Sequence, residues 1–202
     1  FIIIIIIFMF WVWISGQGGG FYQTFDNHWR NAVFRDLINN EWPVIYPNTG
    51  NALIYYIMYW IVPASFGKLF GWGVANFILY IWTLIGILIS YFMITCLLKV
   101  TTLKKMIAVA LVFIFFSGLN VIGILTVSSF KIYDLNQLSG YWEGWLNAIP
   151  SEFPYGYQYS SNNILLQWVY NQTIVPWIIT ALLMENKKIR NSLQKNPFEL
   201  CF

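Results

Sequence analysis

The chain has 202 residues, of which 58% are hydrophobic, 20% aromatic and only 9% charged, with a mean hydropathy of +0.60. A soluble domain carries about a quarter charged residues, so this composition excludes a water-facing surface all round. The formal net charge of +3 is small, and its basic residues sit in short segments beside apolar runs, which argues for topology signals and against nucleic-acid binding.

Phe1–Ile14 is apolar throughout and does not begin with Met. It reads as a transmembrane helix whose beginning is cut off. As the core of a signal peptide it lacks a basic start and a small-residue cleavage site before Gly16. Gly16-Gln17-Gly18-Gly19-Gly20 then reads as a flexible exit from the membrane. No Lys-Ser/Thr or dinucleotide-binding context follows, so these glycines are a weak phosphate cradle.

Asp26–Asn40 is predicted to be an amphipathic helix lying along the membrane interface. Trp29, Val33 and Leu37 recur every four residues, with Ala32, Phe34 and Ile38 beside them. His28, Asn31, Arg35 and Asn39 fall on the other side. Trp42-Pro43 and Pro47-Asn48-Thr49-Gly50 are turn signals. The run Asn51–Val62 is apolar but short, rich in Tyr55, Tyr56, Tyr59 and Trp60, and followed by Pro63. Those aromatics suit the headgroup level, so a second surface helix is expected there.

Three longer runs, Trp72–Leu98, Met106–Val127 and Ile164–Met184, carry no Asp, Glu, Lys, Arg or His. Each approaches or exceeds the roughly 20 residues that span a hydrocarbon core as a helix. Lys99–Lys105 and Glu185–Phe202 together hold seven Lys and Arg against two Glu, and the other loops hold four against six carboxylates. The positive-inside rule puts the first pair of segments in the cytoplasm.

The expectation is therefore an all-α polytopic membrane protein with about four transmembrane helices, the first truncated, plus two interfacial helices in the first outer loop. Helix 1 runs outward, helix 2 (about 72–98) inward, helix 3 (about 106–127) outward and helix 4 (about 164–184) inward. Residues 1–202 form one transmembrane region, with outer loops 15–71 and 128–163. The cysteines, Cys96 near a cytoplasmic helix end and Cys201 in the tail, suggest neither a disulfide nor a metal site.

An outward helix, an acidic outer loop with two surface helices and an inward helix resemble the start of the GT-C glycosyltransferases. These are polytopic membrane enzymes that use polyprenyl-phosphate-linked sugars. Leu53-Ile54-Tyr55-Tyr56 through Lys68-Leu69-Phe70-Gly71 is similar to a surface segment of the bacterial lipid A and mannosyl-type members. Asp26-Asn27-His28-Trp29-Arg30-Asn31-Ala32-Val33, Asp36-Leu37-Ile38, Trp42-Pro43-Val44, Phe116-Ser117-Gly118-Leu119, Tyr159-Ser160-Ser161 and Trp168 resemble a group of uncharacterised bacterial multi-spanning proteins. Asn120 and Thr173 stand where that group has Asp and His. The resemblance implies a longer chain with eight or more spanning helices, of which this is the N-terminal part. It also implies a catalytic carboxylate about a dozen residues past the first helix, at Asp26.

Glycosyl transfer from a lipid phosphate needs a carboxylate to activate the acceptor or hold a metal, and donors for the departing phosphate. Asp26 is the candidate carboxylate. Equally, Asp before an amphipathic helix is a preferred N-cap, worth about 1 kcal/mol. His28, the single histidine, is a candidate for orienting an acceptor or binding phosphate; simple solvation is the plainer account. Arg30 and Arg35 are candidates for lipid phosphate, with ordinary headgroups as the common alternative. A metal, if one binds, is an oxygen-liking ion such as Mg²⁺ or Mn²⁺.

In the second outer loop Trp142 and Trp145 offer faces for a sugar ring and Glu143 or Glu152 an acceptor for its hydroxyls, although interfacial anchoring explains most of the aromatics there. Asn171 and Gln172 sit within an apolar run and must meet other helices or a cavity. The partners implied are membrane lipid, a polyprenyl-phosphate-sugar donor and a glycan, lipid or protein acceptor, at the outer face of a bacterial plasma membrane. Two further readings stay open: a transporter or flippase of lipid-linked saccharides, and a non-catalytic subunit of envelope assembly.

Overall fold

The computed structural model describes residues 2–21, 23, 25–116 and 161–195. Among them are six α-helices and no β-strand: α1 (Ile2–Ile14), α2 (Phe25–Asn39), α3 (Met58–Phe70), α4 (Trp72–Leu97), α5 (Leu103–Phe115) and α6 (Asn162–Lys195). The all-α class follows from the long apolar runs, which lack the alternation of strands and have no proline within α4.

Helix α4 is the axis of the fold and packs against α1, α3, α5 and α6. Its 26 residues reach about 39 Å, more than a hydrocarbon core of about 30 Å. Among the described residues it is the one helix both long and apolar enough to cross a membrane, and only 39% of its most apolar window is buried. The core helix of a soluble protein would be mostly covered. The face α4 turns inward carries Asn76, Thr83, Ser90 and Thr95, whereas Phe77, Trp82, Ile85 and Ile89 point out. Thr83 and Ser90 donate to the carbonyls of Leu79 (2.8 Å) and Gly86 (3.0 Å) one turn earlier, so their burial leaves no hydroxyl proton unpaired. The same inward face also carries Ala75, Leu79, Leu84, Ile87 and Tyr91, so α4 is apolar on both sides with a few hydrogen-bonded polar groups set into the buried one.

The other expected spans fit less fully. Helix α1 has 13 residues, about 20 Å, short of a full crossing. Helix α5 ends at Phe115, and the rest of the run to Val127 lies outside the described residues, as do Trp142, Glu143, Trp145, Glu152 and Cys201. Helix α6 contains Ile164–Met184 and continues to Lys195, but Gln167, Asn171 and Gln172 lower its hydropathy.

Two local expectations are corrected. The second surface helix begins at Met58, not Asn51, and runs through Pro63. Residues 44–53 are instead held as a small extended loop by Leu53 N–H to Val44 (2.9 Å), Tyr46 N–H to Asn51 (2.9 Å) and the Ile45–Ala52 bridge. The glycine run is a docked turn where a flexible exit was expected. Gln17–Gly19 form a 3₁₀ turn, and Gly18 has φ +77° with the Asn76 carbonyl 2.7 Å from where a Cβ would stand. Only glycine tolerates both the left-handed backbone and that approach. A second close approach joins α4 to α6: a Cβ on Gly86 would lie 2.5 Å from Cγ2 of Ile174.

Candidate functional site

Helix α2 lies across α3, tied at its end by Lys68, which donates to the Asn40 carbonyl and sits 5.1 Å from the Trp42 ring centre. Asp36 accepts a 2.6 Å hydrogen bond from the Tyr46 hydroxyl. That bond raises the Tyr46 pKa above its ordinary 10.0, with partial burial and the carboxylate charge adding. These contacts fix the rotation of α2, and it is not the rotation its hydrophobic pattern predicts. Trp29 is 66% exposed. Asn27, Arg30, Phe34 and Leu37 are buried. The Arg30 guanidinium is turned inward toward the Tyr170 ring of α6, and the Trp29 indole is left outside.

Asp26 is the second residue of α2, inside the first turn, so it is not the residue in front of the helix. A carboxylate there favours the positive end of the helix dipole. One turn on, Arg30 reaches back, and its Nη2 lies 3.4 Å from Asp26 Oδ2; the Arg30 side chain is 3% exposed and that of Asp26 42%. The pair has a wet partner and a dry one.

Arg30 faces α6. Its guanidinium lies 5.9 Å from the Tyr170 ring centre, at the outer limit of cation–π attraction. The Tyr170 hydroxyl accepts from Trp60 Nε1 (2.9 Å), and its ring meets that of Tyr59 at 5.4 Å, whose hydroxyl bonds Thr83 at 2.9 Å. This aromatic knot locks α3, α4 and α6 behind Arg30. Above it Trp11 Nε1 donates to Asn163 Oδ1 (2.6 Å) and Gln17 Nε2 to the Leu166 carbonyl (3.0 Å).

Helix α6 is interrupted at Val169 (φ −135°, ψ 37°), and the Thr173 hydroxyl takes up the Val169 carbonyl at 2.9 Å. Around this break several buried polar atoms have no hydrogen-bonding partner among the described residues: Arg30 Nε and Nη1, Asn163 Nδ2, Gln167 Nε2, Trp168 Nε1, and both amide atoms of Asn171. All but one of these atoms, the Asn171 oxygen, are N–H donors.

An apolar groove of about 710 Å³ opens beside this cluster between α3, α4 and α6. Trp82, Ile85 and Ile89 form one wall and Ile174, Val175 and Ile178 another, with Tyr56 and Tyr59 at one end and Asn171 and Gln172 set into it.

Of the residues singled out in the sequence, the structure brings Asp26 and Arg30 together. His28 is exposed on α2, 6.2 Å from the Phe25 ring. Arg35 is exposed and stacks on Trp72 at 4.7 Å, away from the Arg30 side. Gln172 is exposed on the groove wall, while Asn171 is buried. Glu143, Trp142 and Trp145 lie outside the described residues. Sequence reasoning did not single out Tyr170 and Gln167; polar Gln167 within an apolar run was the available signal. Among the described residues no group of three or more His, Cys, Asp or Glu could hold a metal. Asp26, with a guanidinium against it, is a poor start for one, so the described residues do not fit a Mg²⁺ or Mn²⁺ site. No protein-family model, characterised protein or solved structure matches this chain.

Proposed function

We propose that the chain is part of a GT-C-like membrane glycosyltransferase that moves a sugar from a polyprenyl-phosphate-linked donor to a cell-envelope glycan, lipid or protein. The observation that carries this reading is Asp26, a half-exposed carboxylate fixed by Arg30 on a helix that lies over the bundle. In this reading α1, α4, the run beginning in α5, and α6 are the four spans of a bacterial plasma membrane protein. The acidic loop with Asp26, Asp36 and Glu41 faces outward, and Lys99, Lys104 and Lys105 at the far end of α4 face the cytoplasm. The groove between α4 and α6 offers an apolar bed for the donor's lipid chain.

Asp26 acts as general base. Its carboxylate takes the proton of the acceptor hydroxyl as that oxygen attacks the anomeric carbon. The bond from that carbon to the phosphate oxygen breaks with inversion, and the lipid phosphate departs with the electron pair. A positioned base of this kind contributes about 10²–10⁴-fold.

Conversion of Asp26→Asn keeps the shape and removes the base. Transfer of labelled sugar from polyprenyl-linked donors in isolated membranes should fall at least about a hundredfold at unchanged protein level. Undiminished transfer would sink the assignment. The break in α6 at Val169 beside Gln167 and Asn171 favours one second reading, a transporter of lipid-linked saccharides, because interrupted spanning helices commonly line substrate paths. In that case Asp26→Asn leaves chemistry untouched, and substitutions at Asn171 change flux.

A further inference from the structure

We infer that the outward face of α6 is a self-association surface, on which a second copy of this chain packs its own α6 in parallel through Gln172. The inference rests on the reading of α6 as a membrane span and is independent of sugar transfer.

Past the break at Val169, α6 is continuous to Lys195, so its faces follow from helical spacing. Asn171, Thr173, Ile174 and Ala181 are buried on the bundle side. Gln172, Val175, Ile179, Leu182 and Asn186 are all exposed on the other. Successive members of this second set are three, four, three and four residues apart. That is a heptad seam, with Gln172, Ile179 and Asn186 at a positions and Val175 and Leu182 at d.

The exposed Val175, Ile179 and Leu182 suit lipid as well as they suit protein. Gln172 does not. It stands near the middle of the apolar run Ile164–Met184, where an outward amide gains nothing from hydrocarbon. Among the described residues nothing hydrogen-bonds its side chain. Pro176, four residues on and also exposed, has no N–H for the Gln172 carbonyl, so the helix cannot meet that acceptor with its usual bond. One position therefore offers an amide donor and two acceptors to whatever covers it. A lipid chain has nothing to give them.

Two copies inserted in one bilayer share their topology, so a two-fold axis along the membrane normal relates them and their α6 helices run parallel. In that arrangement each a position meets its own equivalent, and Gln172 meets the partner's Gln172 at the same depth. A carboxamide is its own complement: each Nε2 donates to the other's Oε1. Each Nε2 also keeps a second N–H for the carbonyl that Pro176 leaves without one. A polar side chain at an a position fixes register and the number of helices that pack together. Gln172 and Val175 also edge the apolar groove, so the second copy borders it.

The test uses the full chain in a cysteine-free background. In native membranes treated with a copper–phenanthroline oxidant, Ile179→Cys and Leu182→Cys should form disulfide-linked dimers. Thr180→Cys and Met184→Cys, exposed but off the seam, should stay monomeric. Energy transfer between copies labelled at Thr101→Cys in phosphatidylcholine vesicles then reads the affinity. Gln172→Leu should weaken association by about fivefold or more, and Gln172→Asn, which keeps an amide, should weaken it less. A chain that stays monomeric as the lipid is reduced would overturn the inference, as would equal cross-linking on and off the seam or undiminished association of Gln172→Leu. Alkaline carbonate washing separates the two failures: a chain released by alkali sinks the membrane reading, whereas a chain that stays in the membrane and does not pair sinks the seam alone.

Discussion

Gly86 offers the sharpest test of the packing that positions the groove and the Arg30 cluster. Its Cβ in an alanine variant would stand 2.5 Å from Cγ2 of Ile174, against 3.4 Å or more for an ordinary contact. Ile174 is 2% exposed, and a β-branched side chain in a helix has little χ1 freedom with which to swing away. The helices must therefore separate by about 1 Å, a movement that overpacking studies price at about 1–3 kcal/mol. Alanine gains about 1 kcal/mol in helix propensity over glycine, which leaves a net loss of up to about 2 kcal/mol. The measurement is thermal unfolding of the purified chain in detergent, followed by helical circular dichroism. Gly86→Ala should melt no higher than the parent, despite the better helix former. Adding Ile174→Ala removes Cγ2, so the double variant should be more stable than the two single losses predict, by a coupling of about 1–2 kcal/mol. A Gly86→Ala chain more stable than the parent, or additive effects in the cycle, would refute this account of the α4–α6 crossing.

Other expectations follow from single contacts. Trp60→Phe removes the donor to the buried Tyr170 hydroxyl and should cost about 1–3 kcal/mol in the same melt. Gly18→Ala places a side chain at φ +77° against the Asn76 carbonyl and should cost about 1–3 kcal/mol; a neutral effect would mean that the turn does not dock on α4. Tyr46 has a pKa raised above 10.0 chiefly by its hydrogen bond to Asp36, so its stabilising link is complete below pH 10 and fades as the pH climbs through the raised value. Phenolate absorbance should show this late titration, and Asp36→Asn should bring it back toward the ordinary value. In a cysteine-free background, Thr101→Cys should react with a membrane-impermeant maleimide only from the cytoplasmic side and Asn48→Cys only from outside. The reverse pattern would invert the proposed topology.

The amino-acid sequence by itself determines the helical class, the extent of α4 to within a residue and the segregation of charge to its two ends. All three depend on local properties: apolar run length, the absence of proline from α4 and the count of Lys and Arg. It also shows that Asp26 and Arg30 are one turn apart, and therefore able to pair. What it cannot choose is which side of an apolar helix faces inward. On α2, Trp29 and Leu37 look equally fit for burial, yet Leu37 is inside and Trp29 outside. That choice is made by contacts outside the helix: Tyr46 on Asp36, Lys68 on Asn40, and the Tyr170 ring near Arg30. The start of α3, the docking of the glycine turn and the break at Val169 are likewise decided by tertiary contacts. Where both the interior and the surroundings accept apolar side chains, hydrophobicity stops distinguishing them. Buried polar pairs such as Trp60 with Tyr170 and Trp11 with Asn163 then help to set how the helices are turned.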